Sequence, residues 1–340
     1  MPQSRLSRIA RAALLATALA GLPGCLLMDA ARMSAAQQSA AHIVRAPLPL
    51  EVPFRQAGGL VLVPVTVTAG PGRQAMLDFV LDTGAPVTVL LDGPGTAALA
   101  LDLSDARKLG DPDEASTPVG AFRFGFTLDF GPLSLEGMPA VGIPLSTMPC
   151  TDRVAGIGFQ GVIGRDLFRR FVVEMDFGRQ VLRLHDPAAY RRDPGVPTLP
   201  LTEENGHVFA EGTVRLADGR ETAGLVHLDT GSTAGLNVVA ASAGLAPPEG
   251  AAARRVCQVN GLLETREAGL SGVTLGGAET AGVPTSFILG SKPMTDRHVA
   301  SAGMGLLGRY DLVIDYPGAT LGLKPRPVSA ARGSAAPPPA

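Results

Sequence analysis

The chain has 340 residues with 29 basic and 31 acidic side chains, a net charge of −2, and 46% of its residues are hydrophobic. This apolar content excludes a disordered chain, and the length predicts about two domains. The balanced charge, without basic runs, argues against nucleic-acid binding. Three Cys and five His are too few for a disulfide scaffold or a Cys/His metal cluster, so we expect neither a metal nor a cofactor.

The first 25 residues have the layout of an export signal. Arginines at positions 5, 8 and 11 precede an apolar run from Ala12 to Leu22, which is the order of charge and hydrophobicity in a secretory signal peptide. Leu22-Pro23-Gly24-Cys25 resembles a bacterial lipobox, in which the cysteine is lipidated and becomes the first residue. Cleavage after Ala18-Leu19-Ala20 is the alternative. Either route predicts a bacterial protein that is exported, as a periplasmic protein or as a lipoprotein anchored at Cys25.

Two low-complexity segments flank the part of the chain that we expect to fold. Residues 26–46 are rich in Ala, Gln and Ser, which predicts a flexible tether. Residues 328–340 consist mostly of Ala, Pro and Ser, which predicts a disordered tail.

The remaining chain contains an internal repeat, which defines two lobes. Leu81-Asp82-Thr83-Gly84 recurs 147 residues later as Leu228-Asp229-Thr230-Gly231. Gly161-Val162-Ile163-Gly164-Arg165 recurs at an offset of 144 as Gly305-Leu306-Leu307-Gly308-Arg309. The offset falls to 139 by Asp315, which we interpret as a five-residue deletion after Arg309. The repeat predicts an N-terminal lobe over 47–190 and a C-terminal lobe over 197–327.

Both lobes are predicted to consist mainly of strands. Leu60 to Thr68 is rich in Val, Leu and Thr, which favours a strand. Asp218-Gly219 and Asn260-Gly261 are tight-turn sequences between apolar runs, and each predicts a hairpin. Helical signals are few and short, so the pattern predicts an all-β protein.

The chemistry is predicted at the two Asp-Thr-Gly turns. An Asp at the end of a buried apolar strand needs a partner, because burying a lone charge is costly. Two such turns facing each other would bring Asp82 and Asp229 together, and two close carboxyls share one proton. The ionised member can then take a proton from water while the other donates to a carbonyl.

These residues resemble those of retropepsin-like aspartic peptidases, in the single-chain, two-lobed form that pepsin has. The resemblance implies a bilobal acid-protease fold made of two retropepsin-like β-barrel lobes. It implies an aspartic endopeptidase that binds a peptide or protein substrate in extended conformation, with Asp82 and Asp229 as catalytic residues. It further implies that Thr83 and Thr230 cross-link the two turns, and it assigns supporting roles to Gly84, Gly231, Ser232, Gly164 and Gly308.

Other features leave alternatives open. Pepsin-type enzymes carry a Tyr in a flap hairpin, whereas no Tyr falls in the flaps predicted here, within Asp111–Phe124 and around Asn260-Gly261. The alternative function is therefore a non-catalytic bilobal β module that binds extended peptides in the interlobe groove. We expect a monomer, with association of each lobe with the same lobe of another chain as the alternative. The partners of Arg165 and Arg309 stay open.

Two further expectations concern side chains near the turns. Ser232 has a hydroxyl that could bond the carboxylate of Asp229, so we predict that Asp229 ionises more readily than Asp82. Cys150 matches the apolar Met294 in the repeat, which favours a buried free thiol, with a disulfide to Cys257 after export as the alternative.

Overall fold

The computed structural model describes residues 24–109, 118–148, 150–258 and 261–326. Most of the predicted export signal and the predicted tail therefore lie outside the described residues. The described helices are α1 (Gly24–Ser39), α2 (Thr151–Ile157), α3 (Arg165–Phe168), α4 (Ala240–Ala243) and α5 (Met304–Leu307), with 3-10 turns at Pro94–Leu99 and Leu145–Thr147. No helix in these ranges is long and apolar enough to cross a bilayer.

Lobe one is a nine-stranded sheet in which six strands close into a barrel. Its strands are β1 (Ala41–Val44), β3 (Arg55–Ala57), β4 (Leu60–Gly70), β5 (Arg73–Leu81), β6 (Val89–Asp92), β7 (Arg107–Lys108), β8 (Val119–Phe130), β9 (Leu133–Pro144) and β10 (Gly161–Ile163). The order around the barrel is β4-β5-β10-β6-β9-β8, and β8 pairs again with β4. Alternate side chains of β5, Leu77, Phe79 and Leu81, are buried, as the period of a strand requires.

Lobe two repeats the same barrel. Its strands are β14 (Thr202–Glu204), β15 (His207–Arg215), β16 (Glu221–Leu228), β17 (Leu236–Val239), β18 (Ala253–Gln258), β19 (Gly261–Leu275), β20 (Ala278–Ile288) and β21 (His298–Ala302). The order around the barrel is β15-β16-β21-β17-β20-β19, and β19 pairs again with β15. Each strand of this barrel corresponds in position to one strand of lobe one.

A third sheet joins the two lobes. It contains β2 (Leu50–Pro53), β11 (Val172–Asp176), β12 (Val181–His185), β13 (Thr198–Pro200), β22 (Tyr310–Asp315) and β23 (Thr320–Pro325). β11 of the first half pairs antiparallel with β22 of the second half. One continuous core runs from Phe79 in lobe one through Met175 and Leu312 of this sheet to Phe287 in lobe two. The architecture confirms the predicted all-β, bilobal fold of two barrel lobes.

The expectation of a flexible tether over residues 26–46 is wrong. α1 and β1 lie in this segment, and β1 pairs antiparallel with β9. Met33 is buried against lobe one, and the side chain of Gln37 donates hydrogen bonds to the carbonyl of Pro86 and the carboxylate of Asp166. Composition predicts a linker here, but one face of the helix finds apolar and polar partners on the barrel.

The length difference between the repeats lies at α2, not after Arg309. In lobe one, Arg153 lies within α2 and β10 begins only at Gly161, whereas in lobe two β21 begins at His298, directly after Arg297. The offset between the lobes therefore falls from 144 to 139 at this point. α5 of lobe two corresponds to α3 of lobe one, so lobe two keeps that segment. The sequence match with Gly305–Arg309 pairs a strand with a helix, because both contain a Gly-aliphatic-aliphatic-Gly-Arg pattern.

Candidate active site

Asp82 and Asp229 lie in tight turns at the ends of corresponding strands, β5 and β16. The backbone N–H of Asp82 donates to the carbonyl of Ile163 on β10 at 2.9 Å. The N–H of Asp229 donates to the carbonyl of Ala302 on β21 at 3.0 Å. Each Asp is thus held by the neighbouring parallel strand, and the pseudo-symmetry of the lobes brings the two turns face to face.

The glycines of the two turns allow this close approach. The N–H of Gly84 donates to the carboxylate of Asp82 at 2.7 Å, and the N–H of Gly231 donates to that of Asp229 at 3.0 Å. A Cβ at Gly231 would lie 2.3 Å from the carboxylate of Asp82, and one at Gly84 would lie 3.2 Å from that of Asp229. The carboxyl groups of the two Asp residues are hydrogen-bonded to each other. Any side chain at Gly231 would therefore separate the pair.

Thr83 and Thr230 cross-link the turns beneath the two carboxyls. The Oγ1 of Thr83 donates to the carbonyl of Leu228, and the Oγ1 of Thr230 donates to the carbonyl of Leu81, both at 2.8 Å. Each hydroxyl also accepts the backbone N–H of the other Thr, at 3.0 and 3.1 Å. The four bonds are buried and tie β5 to β16 at the site, as the resemblance implies.

The glycine that packs under each turn is Gly164 in lobe one and Gly303 in lobe two. A Cβ at Gly164 would lie 2.0 Å from the carbonyl oxygen of Ala85, and one at Gly303 would lie 2.8 Å from that of Ser232. The next residue in each lobe donates its N–H to the same carbonyl, at 3.1 Å in lobe one and 2.7 Å in lobe two. The supporting role predicted for Gly308 is wrong, because Gly308 ends α5 away from the turn. The repeat has an offset of 139 at Asp315, and the same offset applied to Gly164 gives Gly303. The sequence therefore contained the signal that could have identified Gly303.

The carboxyls of Asp82 and Asp229 lie close enough to influence each other's ionisation. Burial raises the pKa of both Asp82 and Asp229 above the ordinary value. The negative charge of Asp82 raises the pKa of Asp229 further, while backbone N–H groups oppose the rise in both pKa values, that of Gly84 at Asp82 and that of Gly231 at Asp229. One proton is therefore retained between the two carboxyls at pH values at which isolated Asp side chains are ionised.

The hydroxyl of Ser232 does not contact Asp229 as predicted. It accepts the backbone N–H of Ala234 at 3.3 Å, which stabilises the loop after the turn. The predicted order of ionisation depended on this contact, so the structure removes its basis: a side-chain donor after the Gly stabilises a carboxylate only if it points back to it.

Tyr316 is a site residue that the sequence analysis missed. Its hydroxyl donates to the carbonyl of Thr83 at 3.1 Å, and its ring packs against Phe168 with centroids 5.3 Å apart. Burial and the negative charge of Asp82 raise the pKa of Tyr316, so its hydroxyl stays protonated and keeps this bond. The corresponding residue of lobe one is Phe177, so the contact is not symmetric. The offset of 139 would have paired these two aromatic residues.

A cleft of about 950 Å³ lies between the lobes with the two carboxyls at its base. On the lobe-one side its wall is formed by α2 and the residues around it, and on the lobe-two side by the outer face of the barrel and by the β18–β19 hairpin. Residues lining the cleft include Asp82, Gly84, Asp229, Gly231, Ser232, Ile157, Phe159, Asn237, Leu263 and Leu270.

A disulfide between Cys150 and Cys257 crosses the cleft. The expectation of a buried free thiol at Cys150 is wrong, and the less favoured alternative is what the structure contains. Cys150 caps the N-terminus of α2, and Cys257 lies on β18, so the bond attaches the lobe-two hairpin to lobe one. Sequence spacing could not show this, because the two residues meet only when the lobes face each other.

The hairpin predicted around Asn260-Gly261 is confirmed as β18–β19, which pair from Ala253 opposite Arg266 to Gln258 opposite Gly261. Residues 259 and 260 at its tip lie outside the described residues. In lobe one, residues 110–117 of the predicted flap are likewise not described. Of the described residues there, β7 and β8 contribute none to the lining of the cleft.

The two arginines of the repeat have different partners. Arg165 is nearly buried and donates to the carbonyl of Gly206 at 2.6 Å and to the carboxylate of Glu203, both in the second lobe. Arg309 donates to the carbonyls of Ala281 and Gly282. Arg165 therefore helps to hold the two lobes together, whereas Arg309 bonds to strand β20 within lobe two. Among the described residues, no group of three His, Cys, Asp or Glu side chains is arranged to hold a metal.

Comparisons with known proteins bear on the fold alone. No family model matches the chain, and no curated protein matches its sequence. Among solved structures, it is similar to an aspartic proteinase from Irpex lacteus, with 15% identity, 83% of this chain and 98% of that chain covered, and a TM-score of 0.49. It is also similar to conglutin gamma, a basic 7S globulin from lupine seeds, and to basic 7S globulin from soybean, each with 12% identity, 82% of this chain and 95% of that chain covered, and a TM-score of 0.46. Functional conclusions must therefore come from the site itself.

Proposed function

We propose that this chain is an aspartic endopeptidase in which Asp82 and Asp229 activate a water molecule. The observation that carries the proposal is the pair of half-buried, mutually hydrogen-bonded carboxyls at the base of the interlobe cleft. Burial raises the pKa of both groups, so one proton is retained between them. A structural ion pair would need an adjacent cation, whereas here two acids face each other. Such a pair destabilises the fold, so its presence indicates a functional site.

The proposed reaction uses one carboxyl as base and the other as acid. Ionised Asp82 takes a proton from water as the water oxygen attacks the carbonyl carbon of the peptide bond, while protonated Asp229 donates its proton to the carbonyl oxygen. Both Asp residues are left with exchanged protonation states. When the C–N bond breaks, Asp82 returns its proton to the amine nitrogen, and Asp229 recovers one from the hydroxyl. The Thr83–Thr230 bonds keep both carboxyls oriented throughout.

The proposed substrate is a peptide or protein segment in extended conformation. The cleft has a volume of about 950 Å³, and the β18–β19 hairpin contributes to one wall. Extended segments suit such a wall because main-chain hydrogen bonds bind them without regard to sequence.

A second candidate is a peptide-binding module without catalysis. One observation favours it: the described residues of β7 and β8, in the predicted lobe-one flap, do not line the cleft. Substrate would then be held by the lobe-two hairpin alone. Both candidates predict binding of extended peptides, and only the first predicts their hydrolysis.

The decisive experiment is digestion of a random peptide library by the wild type, Asp82→Asn and Asp229→Asn. Asp218→Asn, at an exposed hairpin turn, is the matched control. We expect cleavage by the wild type and the control, and none by the two site variants. Peptide binding without cleavage by the wild type would establish the second candidate instead.

We also propose that the protein is exported from a bacterial cell and works as a monomer outside the cytoplasm, with Cys25 as a lipid anchor. The basis is the charged and apolar order of the first 25 residues. Cys25→Ser should release the protein from membranes or leave the precursor uncleaved. Unchanged processing and membrane association would show that the signal is cleaved elsewhere.

A further inference from the structure

The outer faces of the two barrels carry a matched row of side chains, and the two rows differ in chemistry. Each row contains one residue from each of six neighbouring strands, and successive residues are paired in the sheet register. The row passes beside the turn that holds Asp82 in lobe one and Asp229 in lobe two. In lobe one the row is Leu62, Val80, Val162, Val89, Val141 and Phe122. In lobe two it is Phe209, His227, Ser301, Asn237, Ser286 and Glu267. All six residues of the lobe-one row are apolar, so the barrel fold does not require polar side chains at the corresponding positions of lobe two.

The two rows also differ in what covers them. In lobe one, Ile157 of α2 and Phe159 pack over Val80 and Val162 in a small apolar cluster. Lobe two lacks a counterpart of α2 because of the five-residue length difference. The five polar residues of its row, which we call the polar row, consequently line the cleft. They are His227, Ser301, Asn237, Ser286 and Glu267.

Several polar atoms of this row have no partner within the described protein. His227 is 2% exposed, lies two residues before Asp229 and lines the cleft, yet neither ring nitrogen is hydrogen-bonded. The carboxamide of Asn237, which faces Ser301 in the sheet register, is likewise free of hydrogen bonds with described residues. Leaving such groups unpaired after water is displaced costs free energy, so they point to a ligand with matching groups.

The hydrogen bonds around Ser301 give the row a defined polarity. The Nδ1 of His298 accepts the backbone N–H of Met294 at 3.2 Å, so the proton of this ring is on Nε2. That Nε2–H donates to the Oγ of Ser301 at 3.2 Å, which leaves the Ser301 hydroxyl proton to be donated into the cleft. The imidazole, the carboxamide and the hydroxyls of the row thus offer both donors and acceptors.

We propose that the polar row is a substrate subsite, beside the scissile bond, for a neutral side chain that both donates and accepts hydrogen bonds, of which the carboxamide of Asn or Gln is the best match. This inference rests on the proposed function and names its specificity. Ser301 and Asn237 would supply the direct contacts, and the buried, uncharged ring of His227 lies behind them.

The charges around the row favour a neutral side chain over an ionised one. Burial and the neighbouring His207 and His298 lower the pKa of His227 to about 3, so the ring is uncharged and cannot pair with a carboxylate. Glu267, at the far end, is already paired with Arg254. An apolar side chain would displace water from Asn237 and Ser301 without replacing its hydrogen bonds.

The opposite wall of the cleft provides an internal control. Val154, Ile157 and Phe159 line it and favour an apolar side chain on the other side of the scissile bond. Loss of the polar preference should therefore leave the apolar preference unchanged.

The test compares peptides that differ only at the position beside the scissile bond, Asn against Leu and Gln against Met, which are similar in size. We expect kcat/KM of the wild type to be at least about tenfold higher for the amide member of each pair. Asn237→Val, which introduces the residue found at this position in lobe one, should reduce the ratio to near one. Thr213→Val, a polar-to-valine change on β15 outside the cleft, should leave it unchanged.

Binding separates this inference from the proposed function. Asp82→Asn is titrated with the same peptide pairs, and tighter binding of the amide member supports the subsite even if the wild type hydrolyses nothing. Cleavage or binding that favours the Leu and Met peptides, or a ratio equal in the wild type and Asn237→Val, would overturn the inference. The wild-type ratio decides the matter alone if Asn237→Val does not fold.

Discussion

The hydroxyl of Tyr316 donates a hydrogen bond of 3.1 Å to the backbone carbonyl of Thr83, the residue that follows Asp82. Tyr316 follows the last residues of β22, so this bond ties the shared sheet to the turn of lobe one. In the pseudo-symmetric position, lobe one has Phe177, which cannot make such a bond. The turn of Asp82 is thus held from below by one contact that the turn of Asp229 lacks.

Tyr316→Phe should lower the free energy of unfolding by about 1 kcal/mol, because one buried hydrogen bond is lost. It should also lower kcat more than it raises KM, since the Asp82 turn becomes less rigid while the cleft is unchanged. Denaturant unfolding and steady-state kinetics measure both effects. Tyr190→Phe is the control, because its hydroxyl bonds no described residue. Equal stability of the two variants would show that the contact with Thr83 does not hold the turn.

Thr83→Val and Thr230→Val should destabilise the protein by similar amounts, roughly 2–4 kcal/mol each, because each removes two buried hydrogen bonds and leaves their partners unpaired. The change preserves side-chain shape, so packing losses are small. Thermal unfolding compared with Thr213→Val measures the effect. A clear difference between the two site variants would mean that the cross-link is not symmetric in energy.

The shared proton predicts a specific dependence of stability on pH. The pKa of Asp229 is raised in the folded protein, so the folded state holds this proton more tightly than the unfolded chain does. The resulting stabilisation is present in acid, below the ordinary Asp pKa, and is lost as pH rises through the raised pKa. Asp229→Asn has no ionisable side chain at this position, so the variant should not lose this stabilisation as the pH rises. The difference in melting temperature between the wild type and Asp229→Asn should therefore grow in favour of the variant from pH 4 to pH 8. A constant difference over this range would contradict the raised pKa.

Ser232→Ala should leave the acidic limb of the kcat/KM profile in place. The hydroxyl of Ser232 accepts from the N–H of Ala234 and does not bond Asp229, so its removal leaves the ionisation of the pair unchanged. We expect only a small loss of stability in the following loop. A shift of the limb to higher pH would show that the hydroxyl does reach Asp229 when substrate binds.

Reduction of the Cys150–Cys257 bond should lower the free energy of unfolding by about 2–4 kcal/mol, because the bond closes a long loop in the unfolded chain. It should also raise KM for peptides, since the β18–β19 hairpin is then no longer attached to lobe one. A double Cys150→Ser, Cys257→Ser variant is the control and should not respond to reductant. Equal responses of the wild type and this variant would exclude the disulfide as the cause.

The repeated Asp-Thr-Gly turns were predictable because they are local. A carboxylate at a strand end followed by Gly specifies a turn from a few adjacent residues, and its recurrence implies two facing copies. The cross-link between Thr83 and Thr230 was implied by the family resemblance that these turns carry, and the structure contains it. Short β-rich segments separated by turn sequences were sufficient to predict the all-β class, since each hairpin depends on its own turn.

Features that join distant segments were decided by the tertiary structure. Gly303 replaces Gly308 under the second turn because packing requires a glycine against the carbonyl of Ser232, whereas the sequence match rested on a common apolar pattern. The Cys150–Cys257 bond and the contact between Tyr316 and Thr83 exist only when two lobes meet.

The sequence by itself thus determined the pair of carboxylates, the two strand-rich lobes and the hairpins, since strand period, turn residues and repeats act over short distances. The tertiary structure decided that the pKa values of both carboxyls are raised, because burial and the proximity of the two acids act through space. It also placed the polar row of lobe two in the cleft. His227 and Asn237 are ordinary strand residues in sequence, and only the missing counterpart of α2 exposes them to a substrate.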